Sequence, residues 1–136
     1  MLGHKEWLRI AKEDLLAAKT LIKIELFSSV VYHCQQSFEK ALKAYLVFKK
    51  QPIPKTHDLI KLLELCMVFD KNFQKKINAA NYINPFSSKF RYPSEFDIPD
   101  LAEVQLTIKY TESIMRFVFK KVIEPGSGQT TIVDFK

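Results

Sequence analysis

Apolar residues recur along this chain at the three- and four-residue intervals of α-helices, and polar breaks divide them into five segments. The first covers about residues 4–25, with Trp7, Leu8, Ala11, Leu15, Ala18 and Ile22 on one face and Lys5, Lys12, Lys19 and Lys23 on the other. Phe27-Ser28-Ser29 breaks the pattern and offers a serine to cap a second helix over about 29–50. Gln51-Pro52-Ile53-Pro54 cannot continue it. Thr56 is placed to cap a third helix near 57–69, with Asp58 in its first turn, and Ile60, Leu62, Leu63, Leu65, Cys66 and Phe69 make that helix apolar around most of its girth. A weaker helix near 72–83 rests on Phe73, Ile77, Ala80 and Tyr82, and a last long one runs from Asp100 to about 123. Residues 84–94 read as an aromatic, proline- and serine-rich loop. The pattern predicts an all-α fold, an antiparallel up-and-down bundle of four or five helices over residues 1–124, followed by a tail at 125–136. Within that tail Thr131–Phe135 has strand propensity and no evident partner.

The second helix departs from a plain packing pattern. Tyr32, Gln36, Glu39 and Lys43 fall on one stripe, with Gln35 and Lys40 beside it. Buried amides and carboxylates need hydrogen-bond partners. Gln36 and Glu39 therefore either fasten this helix to its neighbours or line a groove that presents Gln35, Gln36 and Lys40 or Lys43 to a phosphate.

Composition narrows the field. The 136 residues fit one domain, 47% of them hydrophobic and only three of them glycine, which favours few long elements over many short strands. No apolar run approaches the length of a membrane span, and the first residues lack the pattern of a secretory leader, so no membrane association and a cytoplasmic location are expected. Cys34 and Cys66 lie within predicted helices and read as buried thiols; no metal site and no cofactor are expected. The net charge of +6 is uneven. Residues 40–61 carry six lysines against Asp58 alone, and 71–91 carry five basic residues and no acid. Such a field attracts phosphates, RNA or an acidic protein, and it equally describes a solvated lysine-rich face.

Three stretches in order, Tyr32 to Ala44 with Gln36 and Glu39-Lys40-Ala41-Leu42-Lys43-Ala44, Pro54 to Leu59, and Arg91-Tyr92-Pro93, resemble the HEPN domain, named for higher eukaryotes and prokaryotes nucleotide-binding. The likeness runs over about residues 4–123. It implies a helical bundle, often a homodimer, frequently the partner of a minimal nucleotidyltransferase in a toxin–antitoxin-like pair. Many members are metal-independent ribonucleases that use an arginine, four to six residues, then a histidine. Here neither His33 nor His57 has an arginine at that distance, and Arg91 is followed there by Phe96, Asp97 and Ile98. The resemblance therefore points to a non-catalytic protein that binds a nucleotide, RNA or a nucleotidyltransferase. The alternatives are a divergent ribonuclease using Arg91 and a histidine met in space, and a purely structural dimerisation module.

No catalytic residue is assigned from the sequence. The candidate phosphate-binding set is Gln36, Lys40, Lys43, His57 and Arg91, each with a structural role open to it as well: Arg91 as a partner for Glu39, His57 as a fastener of the loop before the third helix, His33 as a packed or interface histidine. His57 near a helix N-terminus, after Lys55 and Thr56, would suit an anion.

Overall fold

The computed structural model describes residues 2–86 and 98–123, and among these all regular structure is helical. The helices are α1 (His4–Leu21), α2 (Phe27–Phe48), α3 (Leu59–Met67), α4 (Ile77–Ile83) and α5 (Leu101–Val122). The proposed strand segment in the tail, most of the 84–94 loop, and Arg91 lie outside the described residues.

α2 is the axis of the bundle. It packs most extensively on α1, then on α5, and also on α3 and α4. Surrounded in this way, it buries residues around most of its circumference, from Val30, Val31, Cys34 and Phe38 to Ala41, Leu42, Tyr45 and Leu46, and leaves the face of Tyr32, His33, Gln36 and Lys40 half-buried. Side chains that would face water on a peripheral helix are enclosed here. Gln35 and Ser37 are fully buried, and Glu39 and Lys43 nearly so. Where α1 and α2 meet, Ala11, Ala18, Ala41 and Ala44 are fully buried small residues, and the Ser37 hydroxyl donates to the Ala11 carbonyl at 2.7 Å. Phe73 fills the space under the other end of α2, between Tyr45 and Phe117, with ring centroids 4.5 and 4.9 Å away.

Helix boundaries depart from expectation in four places. α1 ends at Leu21, and the 22–25 stretch tightens into a 3-10 turn, Ile22–Ile24, with Glu25 in the left-handed region at φ 60°. The Leu26 N–H returns to the Leu21 carbonyl and the Glu25 N–H to that of Ile22, so the termination is a Schellman-type turn built without glycine. α2 then begins at Phe27 with Leu26 at its cap and no side-chain cap, so neither Ser28 nor Ser29 has the role expected of it. Lys50, at φ 62°, repeats the same device where α2 ends. α3 is capped by Asp58 instead of Thr56: its carboxylate accepts from the N–H groups of Ile60 and Lys61, while the Thr56 hydroxyl accepts from the Asp58 N–H. The fourth helix is half 3-10 (Lys71–Lys76) before α4 proper. α5 begins where expected, because Asp100 and Glu103 form a reciprocal capping box at 2.8 and 3.0 Å.

Candidate functional site

The polar stripe of α2 resolves into two carboxylate centres, each holding one lysine and one histidine. In the first, Asp14 of α1 accepts from Lys40 Nζ at 2.6 Å through Oδ2 and meets His33 Nδ1 at 2.9 Å through Oδ1. In the second, Glu39 accepts from Lys43 Nζ at 2.9 Å, four residues on along α2. His57, on the stretch leading into α3, sets Nδ1 3.0 and 3.1 Å from the two oxygens of the same carboxylate. Gln35 donates to Glu39 at 3.2 Å and to the His57 carbonyl at 3.5 Å, and Gln36 donates to the Gln35 amide oxygen at 2.7 Å. Enclosed charge is tolerable only when paired and fully hydrogen-bonded. This centre meets that condition, since its carboxylate has three donors.

The two centres differ in access. Lys43 and Glu39 are 7% and 5% exposed, whereas the His57 ring is 61% exposed. With Nδ1 engaged by the carboxylate, Nε2 is the ring's remaining polar atom. A carboxylate on one imidazole nitrogen fixes the orientation of the ring and leaves the other nitrogen facing outward. His57 is thus the exposed end of an otherwise buried network.

The five residues read from the sequence are therefore not equivalent. Gln36 and Lys43 belong to the Glu39 network, and His57 is its exposed end. Lys40 lies in the other centre, its charge met by Asp14. Arg91 is outside the described residues. Both Glu39 oxygens already have partners without it. The N-terminus of α3 is also occupied: Asp58 takes the N–H groups of Ile60 and Lys61, and Asn84 Oδ1 accepts from Leu59 at 2.8 Å. Those donors are not available to an anion, and a carboxylate stands at the cap. His33 is pinned to Asp14 and one-third exposed.

Sequence reasoning missed two partners. The Glu39–Lys43 pair was readable as an i, i+4 contact of opposite charges. Nothing local announces that His57, eighteen residues on, or Asp14, on another helix, supplies the rest.

Elsewhere positive charge is less well met. Lys76 Nζ lies 2.7 Å from the Ser113 hydroxyl and 5.0 Å from the centre of the Phe117 ring. Burial first, then the charges of Lys75 and Arg116, pull it below the ordinary lysine value. Both cysteines are fully enclosed. Burial pushes the Cys34 thiol up to about 12, with the nearby Thr111 hydrogen bond opposing, and it raises Cys66 as well. Among the described residues no group of three or more histidine, cysteine or acidic side chains is placed to hold a metal, and no helix is long and apolar enough to cross a membrane.

The family model of the HEPN domain matches residues 4–122. The chain belongs to the HEPN domain family. Two solved structures share its fold: TT1696 from Thermus thermophilus, at a TM-score of 0.74 and 20% identity over 89% of this chain and 99% of that one, and ST0689, described as an archaeal HEPN homologue, at 0.73 and 19% over 90% and 100%. One curated relative, a Methanocaldococcus jannaschii protein named as a candidate toxin, MJ1304, is 46% identical over 43 residues, 32% of this chain and 28% of that protein. In this HEPN chain, then, the polar content of α2 belongs to a helix at the centre of the bundle, with one histidine of its network reaching the surface.

Proposed function

We propose that this HEPN protein is the non-catalytic half of a toxin–antitoxin-like pair, that it binds a nucleotide or RNA through phosphate, and that a minimal nucleotidyltransferase is its protein partner. The observation that carries the reading is the exposed His57 ring, braced at Nδ1 by a buried Glu39–Lys43 pair. In this reading His57 touches the phosphate, Gln36 and Lys43 hold the network that orients it, and Lys40 keeps α1 in place beneath it. Lys75, Lys76 and Arg116 add a positive field that steers anions. Family membership and the partial likeness to MJ1304 support the toxin-type context.

The test is titration of a fluorescent single-stranded RNA and, separately, ATP with the protein at low salt. Saturable binding that weakens steeply with salt is expected. His57→Ala should weaken it by about tenfold or more, the equivalent of roughly 1.4 kcal/mol. Absence of binding and of any ligand-dependent shift in Tm would overturn the ligand, whereas binding untouched by His57→Ala would overturn the site.

The Glu39–His57 contact favours one second reading. A histidine whose Nδ1 is held by a carboxylate is arranged as a general base at Nε2, so RNA cleavage without metal is the enzymatic alternative. Turnover of RNA by the wild type, abolished in both His57→Ala and Glu39→Gln, would establish it over binding alone.

A further inference from the structure

At the end of the bundle where α2 stops and α3 returns, an apolar cavity of about 360 Å³ opens between the two helices and their connection. Leu46, Pro52, Pro54, Leu65, Val68 and Phe69 form most of its wall. Val68 and Phe69 remain 76% and 42% exposed, a large apolar expanse to leave to water. The last turn of α5 lies at the same place: Lys121 Nζ pairs with Asp70 Oδ2 at 2.6 Å, and Asp70 directly follows Phe69. The described chain ends two residues beyond Lys121. Its sequence continues with Glu124-Pro125-Gly126-Ser127-Gly128, then Gln129-Thr130-Thr131-Ile132-Val133-Asp134-Phe135-Lys136.

We propose that the segment Ile132–Phe135 of the same chain occupies this cavity. Reach is ample: the eight residues 124–131 span at most roughly 26 Å, and they leave from Ile123, two residues beyond Lys121, whose ammonium pairs with the neighbour of Phe69. Chemistry fits as well. In an extended stretch alternate side chains share a face, so Val133 and Phe135 enter together and Asp134 faces outward. Lys50 and Lys55 bracket the Gln51–Pro54 wall, both exposed, and offer that carboxylate a positive rim. Pro52 and Pro54 have no N–H, so recognition is by side chains instead of strand addition. Tethering favours this occupant over any partner free in solution, because a short flexible linker supplies an effective concentration near the millimolar range.

The test is disulfide trapping in the full chain carrying Val68→Cys and Phe135→Cys. The native cysteines do not interfere, being enclosed and held as thiols. Mild oxidation should give an intramolecular disulfide, seen as a monomer of altered mobility on a non-reducing gel, at least about tenfold faster than in a control pairing Phe135→Cys with Lys23→Cys. Lys23 is exposed and stands beside the opposite end of α2, a helix of 22 residues and so about 33 Å long. Two results would overturn the proposal. One is cross-linking no faster than the control. The other is a disulfide-linked dimer, which would assign the cavity to a second copy of the chain.

Discussion

The buried Glu39–Lys43 pair makes a quantitative prediction. Glu39→Leu strips Lys43 of its carboxylate while the ammonium stays only 7% exposed. Lys43→Met removes one of the three donors on a carboxylate that is 5% exposed. Breaking a buried pair from one side costs about 3–5 kcal/mol, because an uncompensated charge is left behind. Glu39→Leu should sit at the upper end of that range, since Lys43 has no second acceptor among the described residues, whereas Glu39 in Lys43→Met keeps Gln35 and His57. For a domain of this size the corresponding loss in Tm is about 10–20 °C. The double variant Glu39→Leu/Lys43→Met removes both charges and refills the space with apolar groups, and His57 can hydrate freely. Its stability should return to within about 1–2 kcal/mol of wild type, since well-packed apolar replacements of buried pairs are often neutral. Chemical denaturation of all four proteins closes the cycle, with an expected coupling of at least ~2 kcal/mol. Additive single effects, or a Lys43→Met cost below ~1 kcal/mol, would refute the reasoning: the lysine would then be reaching water instead of Glu39.

Three further outcomes are expected. Glu25→Gly and Lys50→Gly should each stabilise by roughly 0.5–1 kcal/mol in thermal melts, since both positions hold φ near +60° and a left-handed residue with a side chain carries ~1–2 kcal/mol of strain, partly offset by the freer unfolded glycine. Alkylation at pH 8 should modify neither Cys34 nor Cys66 in the native protein and both in denaturant, because the enclosed thiols stay protonated. Asp70 is held below the usual aspartate value by hydrogen bonds from Lys121 and from the Asn72 N–H. Its contribution to stability is therefore present above the ordinary aspartate value and disappears as pH falls through the lowered one, so Lys121→Met should flatten the acid limb of a Tm-against-pH profile without altering the neutral region's slope.

The bundle was legible because its signals are local and repeated. The faces of α1 and α5 follow their apolar spacing, and Asp100 with Glu103 announces the start of α5 three residues apart. Caps that depend on neighbours were not legible: Asp58 displaces Thr56 because Asn84, from the end of α4, steadies it by donating to its carboxylate and takes the Leu59 N–H as well. The site was half legible. Gln36 and Glu39 stand out as polar residues in an apolar helix, which marks them as requiring partners. Which partners they have is decided by a central position that no window of α2 contains. Lys40 and Lys43 read as surface charge for the same reason, since only tertiary contact brings Asp14 to one and encloses the other.

Apolar stripes on two helices are nearly periodic, and sliding one past the other by a single turn, about 5.4 Å, would bury much the same area. The pairings Ser37 with the Ala11 carbonyl and Asp14 with Lys40 and His33 are not periodic. In a slipped alignment Asp14 would face the wrong side chains and the small residues would no longer coincide, leaving charges enclosed and unanswered. The polar contacts of α1 and α2 thus decide between alignments that hydrophobic burial leaves almost degenerate, so their removal should loosen the uniqueness of the packing even where total stability survives.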